Sequence, residues 1–341
     1  MVTVAFFGDP AASWSIMLEA RLREAPDPAA VAARLSRASE DFPNLGPAAS
    51  VCRPSDWDAA RTEFADNRYH EGDPLVRVAL AGDDLMIAAH HGAVDGLGLV
   101  ALLGIALGEP VRSSATGVAQ RRPGRPYLLN TLDRVREAVC TPPARIQPAL
   151  RGTEPGDHLV SRTLPNTKLG SARLTSAALD TTRRWNAARG VPHGRVVAAV
   201  GASWRGGAEP RPEVGSTLLR LRLPARTDED DVRVLLANAA PEADFPSERN
   251  PLAQLGMRLL ASRLGSTFLV SNLGVVEASV SALRFFPAAT GRSGVAFGVV
   301  TTGEATTVTV RARRRDFDAT AAAELLDLLC DAVLTGHEAR R

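Results

Sequence analysis

The sequence predicts an α/β protein, of the α+β kind, in two similar halves. Three observations lead there. Apolar stretches of strand length alternate with stretches of helical period along the 341 residues. The pattern breaks from Thr141 to Asp157, where four prolines and two glycines gather, and then restarts. Finally, Leu85 to Gly98 reads as a buried strand, a tight histidine-bearing loop and the start of an apolar helix. The break divides the chain into a first unit of residues 1–145 and a second of 146–341.

Taken in order, Val2 to Phe7 reads as a strand. Ser15 to Glu24 reads as an amphipathic helix with Ile16, Leu18 and Leu22 apolar, and Ala29 to Ser39 as a second, Ala-rich helix. A strand is expected over Ala48 to Arg53. Leu75 to Leu80 and Leu85 to His90 form a hairpin, turned by Ala81-Gly82-Asp83-Asp84. The helix after the histidines stops at Gly108-Glu109-Pro110. Residues 109–125 read as an exposed loop, and Leu128 to Val139 as a helix.

The second half opens with a strand at His158 to Leu164 and a helix at Thr175 to Ala188, closed by Gly190. Val196 to Trp204 fits either a helix or a buried run. Ser216 to Leu223 alternates as a strand and ends in Pro224-Ala225-Arg226. Leu252 to Leu264 is helical in pattern. Thr267 to Val270 is a short strand running into Ser271-Asn272-Leu273-Gly274. Val295 to Thr301 and Thr306 to Arg313 pair around Gly303-Glu304. The closing helix spans Ala319 to Leu334, with Asp318 as its N-cap and Gly336 just beyond its end.

Composition narrows the function classes. With 45% hydrophobic and 23% charged residues the chain is an ordinary globular protein. Its longest apolar run, Leu97 to Leu107, falls short of the roughly 18–20 residues a membrane span needs. The first residues lack the basic lead and small-residue cleavage site of a secretory signal, and Cys52, Cys140 and Cys330 lie far apart. A reducing cytoplasm is the expected setting. Net charge is +2, and aromatics are 5% of residues, so nucleic acid is not an expected partner. The basic clusters Arg121 to Arg125 and Arg311 to Arg315 read as solvated surface.

The chemistry concentrates at His90-His91-Gly92-Ala93-Val94-Asp95-Gly96. Histidine can take and return a proton near neutrality, and a rigid strand end holds it in one rotamer. Alternatives at this stretch fail on spacing. Gly96-Leu97-Gly98-Leu99-Val100-Ala101 fits a dinucleotide-binding turn, but the histidine loop separates it from the strand and the distal acid is missing. Gly201-Ala202-Ser203-Trp204-Arg205-Gly206 has the wrong spacing for a nucleophile elbow. His91 and Asp95 alone do not close a metal site, and no metal is expected.

His90, His91, Asp95 and Gly96 fill the four positions of the His-His-x-x-x-Asp-Gly signature. The chain thereby resembles the condensation-domain and chloramphenicol-acetyltransferase-like acyltransferases, and is most similar to their polyketide-associated and wax-ester-synthase-like members. Ser271-Asn272-Leu273-Gly274 is similar to the Ser-Asn-x-Gly segment that those members carry beside the active-site tunnel. The Asp-Phe-Gly-Trp-Gly motif of many relatives is absent. Only Ala296-Phe297-Gly298 stands there, which argues against the BAHD branch.

The resemblance implies two chloramphenicol-acetyltransferase-like lobes, each a mixed sheet covered by helices, with an active-site channel between them. It makes His91 the general base that deprotonates a hydroxyl or amine for attack on a thioester, with no acyl-enzyme. His90 then points inward, and Asp95 orients the loop by pairing with an arginine, for which Arg226 is the candidate. Ser271 and Asn272 become candidates for hydrogen bonds to the oxyanion or the pantetheine arm. No permanently bound cofactor is implied. Acyl-CoA or acyl-phosphopantetheine is the co-substrate, and the partners are a small-molecule acceptor and an acyl carrier protein. Condensation or cyclisation of carrier-bound substrates, and a silent carrier-docking role, are the alternatives. The oligomeric state is left open.

Overall fold

The computed structural model describes residues 13–338 apart from 120, 122–132, 134–135, 138, 166, 192–193, 225–226, 242–264 and 304. Two sheets organise them. The first has the order β2 (Ser50–Cys52), β3 (Val76–Ala81), β4 (Asp84–His90), β1 (Ser15–Leu22) and β10 (Val280–Phe286). The second runs β6 (Asp157–Pro165), β12 (Ala305–Arg313), β11 (Val295–Thr302), β9 (Phe268–Glu277), β7 (Val196–Ser203) and β8 (Ser216–Leu223), with the short β5 (Arg112–Ser113) paired to β9. Both sheets mix parallel and antiparallel pairs.

The helices follow local rules. The carboxylate of Asp27 accepts the Ala29 N–H ahead of α1 (Pro28–Asp41), which buries Val31, Leu35 and Ala38. α2 (Trp57–Asp66) is capped by Asp56. α3 (Gly96–Leu107) is apolar on all sides because it lies inside the first half, with Leu99, Val100, Leu102 and Leu103 fully buried. α4 (Ser171–Ala188), α5 (Glu229–Asn238) and α6 (Ala319–Glu338) belong to the second half. Asp318 caps α6 through the Ala321 N–H.

Several expectations are corrected. Ser15–Leu22 is a strand, not a helix. It lies between β4 and β10 and is buried on both faces, so its apolar residues do not alternate. Ile16 and Leu18 join one core and Met17 another. The spacing of Ile16, Leu18 and Leu22 fits a period of two as well as one of 3.6. Glu19 is buried too, held by Arg61 at 2.5 Å and Arg284 at 3.5 Å. Residues 196–203 resolve the open alternative as a strand. Ser271-Asn272-Leu273-Gly274 continues β9 rather than ending it, and Gly336 lies within α6. The sequence pattern missed α2, β5, α5 and β10. The expected elements at 2–7 and 252–264 lie outside the described residues, as does much of 128–139, whose described positions are helical.

The two sequence halves interlock. β10 pairs antiparallel with β1 in the register Met17↔Phe286, so residues of the second half complete the first sheet. Arg311 on β12 is fully buried. It donates to Asp157 at 2.7 Å and reaches the Ser15 and Ala65 carbonyls at 2.5 and 2.9 Å. Arg313 is buried as well, and Arg314 pairs with Asp66 at 2.7 Å. The expected solvated cluster at 311–315 is therefore, for these residues, a clamp between the sheets. Val308, Val310 and Ala312 alternate into the core along β12, which puts Arg311 and Arg313 on the inward face.

The second sheet has two unlike faces. One carries Val200, Leu221, Phe268, Phe297 and Val310 into a core with α4 and α6. The other presents Gly201, Ser271, Gly298, Thr309 and Arg311, and touches the first half where Thr309 donates to the Phe285 carbonyl at 2.5 Å.

Candidate active site

β4 delivers the histidine pair. Ser15↔His90 register on β1 fixes the strand end, and the His91 N–H donates to the Trp14 carbonyl at 2.8 Å. Trp14 is the one described non-glycine residue with a positive φ, 56°, a conformation costly for a bulky side chain. The turn closes tightly, with the Ala93 and Val94 N–H groups both directed to the His90 carbonyl.

The two histidines are placed differently. His90 is buried, and its Nδ1 accepts the Gly92 N–H at 3.0 Å. Its ring meets Tyr69 edge to face at 5.2 Å. Burial, with the neighbouring His91 adding to it, pushes the His90 pKa down to about 4. It is therefore neutral near pH 7, with its proton on Nε2. His91 is half-buried, and its Nδ1 lies 3.2 Å from the Val94 carbonyl. A carbonyl can only accept, so Nδ1 carries the proton there and Nε2 keeps its lone pair.

Asp95 is buried and acts on backbone. Its Oδ1 accepts the Gly98 N–H at 2.8 Å and caps α3, while its Oδ2 accepts the Gly215 N–H at 2.8 Å from the second half. Among the described residues no arginine forms an ion pair with it; Arg226 lies outside them. Gly96 and Gly98 permit close packing. A Cβ on Gly96 would lie 2.7 Å from the Leu273 side chain, and one on Gly98 would lie 2.8 Å from the Val94 Cβ and 3.1 Å from the Glu213 carbonyl.

The segment 204–215, between β7 and β8, straps the histidine loop from the second half. Asn44 donates to the Ala93 carbonyl at 2.9 Å and the Pro212 carbonyl at 2.7 Å, joining loop and strap. The Ser113 N–H reaches the strap's Gly207 carbonyl at 2.7 Å, and the Gly207 N–H donates to the Ala115 carbonyl at 2.7 Å. Arg205 and Glu213 pair across it at 2.7 Å. Sequence reasoning missed the strap. Its Gly- and Pro-rich composition reads as any loop, and its bonds to the site are made by backbone groups of Pro212, Glu213 and Gly215.

Ser271 and Asn272 point apart along β9. A Cβ on Gly201 would lie 3.2 Å from Ser271 Oγ, which places the hydroxyl on the inward face. The Asn272 carboxamide is engaged at both ends, donating to the Leu169 carbonyl at 3.1 Å and accepting the Gly274 N–H at 2.7 Å. Leu273, the next residue, touches the start of α3. A cavity of about 700 Å³ opens beyond β9, lined in part by Arg23, Glu277 and Ser281, and a smaller one lies between α1 and α3; His91 lines neither. Among the described residues no group of three or more His, Cys, Asp or Glu could hold a metal ion, and no helix is long and apolar enough to cross a membrane.

Comparison with solved structures identifies the fold. The first condensation domain of the calcium-dependent antibiotic synthetase, solved with a substrate analogue, superposes with a TM-score of 0.61 at 13% identity, over 95% of this chain and 91% of that one. The chain has the condensation-domain fold. A variant of the starter condensation domain of rhizomide synthetase, in complex with C8-CoA and Leu-SNAC, matches with a TM-score of 0.57 at 13% identity, over 95% and 90% of the two chains. The epimerization domain from the third module of tyrocidine synthetase B shares the fold, with a TM-score of 0.52 at 15% identity over 94% and 91%. No family profile and no curated protein matches the sequence. β10 crosses into the first sheet, although the Asp-Phe-Gly-Trp-Gly motif is absent.

Proposed function

We propose that the chain is an acyltransferase that moves an acyl group from a thioester to a hydroxyl or amine, in natural-product or lipid assembly. The observation that carries this is the contact of His91 Nδ1 with the Val94 carbonyl at 3.2 Å. Its Nδ1–H is spent on the Val94 carbonyl, so Nε2 is the basic atom on a half-buried ring. In the proposed reaction Nε2 takes the proton of the acceptor as its oxygen or nitrogen attacks the thioester carbonyl. The tetrahedral intermediate expels the thiolate, and His91 returns the proton to that sulfur. No acyl-enzyme is needed.

The other residues position this step. Asp95 ties the loop to Gly215 and α3 and is not a proton relay, because both its oxygens accept backbone N–H groups. His90 serves as a neutral acceptor that fixes the turn. Ser271 Oγ is the proposed donor toward the oxyanion or the pantetheine arm, and Asn272 holds the course of β9. The donor is acyl-CoA or an acyl chain on a carrier's phosphopantetheine. The likeness to condensation domains favours a second version, amide formation between two carrier-bound substrates, with the same base.

The test is thiol release from acyl-CoA and acyl-carrier thioesters with pooled alcohols and amines, run on wild type beside His91→Ala. Acceptor-dependent release that vanishes in the variant is expected, and the better donor separates the two versions. Equal release from both proteins would remove His91 as base.

A further inference from the structure

Asn44 lies outside the His-His-x-x-x-Asp-Gly stretch, yet it meets the histidine loop and the strap together. Helix α1 ends at Asp41, and Pro43–Leu45 form a single 3₁₀ turn. The turn is pinned at its end. Leu45 is buried in the first-half core, and Gly46, at φ 71°, donates its N–H to the Pro43 carbonyl. Half-buried Asn44 donates from this turn to the Ala93 carbonyl at 2.9 Å and to the Pro212 carbonyl at 2.7 Å. Both partners can only accept, so the amide nitrogen faces them and both its protons are used.

These two bonds act on the carbonyl that orients His91. The Ala93–Val94 peptide has its carbonyl on Asn44 and its N–H directed at the His90 carbonyl, 3.2 Å away. The next peptide, Val94–Asp95, has its carbonyl 3.2 Å from His91 Nδ1 and its N–H 3.4 Å from the Glu213 carbonyl of the strap. The direction of the Val94 carbonyl therefore depends on the peptide before it and on where the strap holds Glu213. Asn44 fixes both. It bonds Ala93 directly, and it reaches Glu213 through the Pro212 carbonyl, which belongs to the peptide joining Pro212 to Glu213. A carboxamide suits this place because it offers two donors in one plane, whereas a carboxylate of the same shape would set acceptors against two carbonyls.

We infer that Asn44 is a positioning residue for acyl transfer, which fixes the Val94 carbonyl and so keeps the His91 proton on Nδ1 and the Nε2 lone pair toward the acceptor. This rests on the acyl-transfer reading. Asn44 touches no reacting atom and acts through the backbone of loop and strap. Without its carboxamide, Asp95 still accepts from Gly98 and Gly215, so the loop stays attached while the Val94 carbonyl turns. The His91 ring then loses the partner that selects its tautomer, and the form with the proton on Nε2 becomes populated.

Steady-state kinetics and ¹⁵N NMR of histidine-labelled protein, on wild type, Asn44→Ala and Asn44→Asp, test the assignment. Both variants should lower kcat by roughly 10–100-fold and leave KM within about twofold, because misplacing the base does not remove substrate contacts. The His91 signals should move from Nδ1–H toward a mixture of tautomers, and those of His90 should stay. Asn44→Asp keeps the shape of the side chain and should have the larger effect, so a failure of Asn44→Ala to fold does not end the test. A role in folding alone would shift the denaturation midpoint and leave the kcat of folded protein and the His91 tautomer at their wild-type values. That result overturns the assignment, as does a rise in KM at constant kcat. If wild type transfers no acyl group, the spectra still decide. A His91 tautomer that changes in the variants keeps the hold of Asn44 on the loop while the transfer reading falls, and an unchanged tautomer removes the assignment itself.

Discussion

His90 and His91 share one peptide bond and almost nothing else. His90 ends β4 inside the protein, neutral, its Nδ1 accepting from Gly92. His91 begins the loop, half-buried, its Nδ1 donating to Val94. One strand end thus fixes a structural imidazole and exposes a basic one, and the tautomer of each follows from its backbone partner. The lesson is that a pair of identical residues divides its labour by burial and by which ring nitrogen meets the backbone.

The substitutions that would break this division come first. His91→Ala should lower kcat/KM by about 10²–10⁴-fold while leaving the unfolding free energy within about 0.5 kcal/mol. His90→Ala should do the reverse, costing about 2–4 kcal/mol in denaturant titration by leaving a void under Tyr69 and an unmet Gly92 N–H. If the two variants exchange phenotypes, the assignment is wrong.

Next in size is the clamp that holds the second half against the histidine strand. Arg311→Leu leaves Asp157 and the Ser15 and Ala65 carbonyls without their buried partner, and should destabilise by about 3–5 kcal/mol. A loss below 1 kcal/mol would show that the sheets do not depend on it.

The pH dependence sharpens the contrast. The folded pKa of His90, about 4, lies below the unfolded histidine value, so the unfolded chain binds the extra proton first as pH falls. The stability contribution is whole above the unfolded value of about 6.5 and is lost as pH drops through it toward 4, by about 3 kcal/mol in all. Urea titrations from pH 7 to 4 should show a slope that His90→Gln flattens.

The smallest effect concerns the loop's exit. Gly96→Ala places a methyl 2.7 Å from the Leu273 side chain and should cost about 1–3 kcal/mol. An unchanged midpoint would mean that Leu273 turns aside freely.

Legibility in the sequence followed the locality of the interactions. The β3–β4 hairpin, the histidine loop and α3 are specified by neighbouring residues, and each is where the pattern puts it. The β11–β12 hairpin is equally local. β1 was misread because a strand buried on both faces loses its alternation, and β10 was missed because its partner lies in the other half of the chain. At the site, the roles of Gly96 and Gly98 depend on side chains and backbone from β9, β10 and the strap. Asp95 accepts a backbone N–H from Gly215, a partner that no residue type advertises. Arg311 looked like surface because a charged run usually is; only the inward face of β12 distinguishes it.

The most direct measurement is ¹⁵N NMR of histidine-labelled protein at neutral pH, with His90→Gln and His91→Gln for assignment. The account predicts opposite tautomers, Nε2–H for His90 and Nδ1–H for His91. An Nε2–H tautomer at His91 would leave it no lone pair for the acceptor and would contradict its role as base.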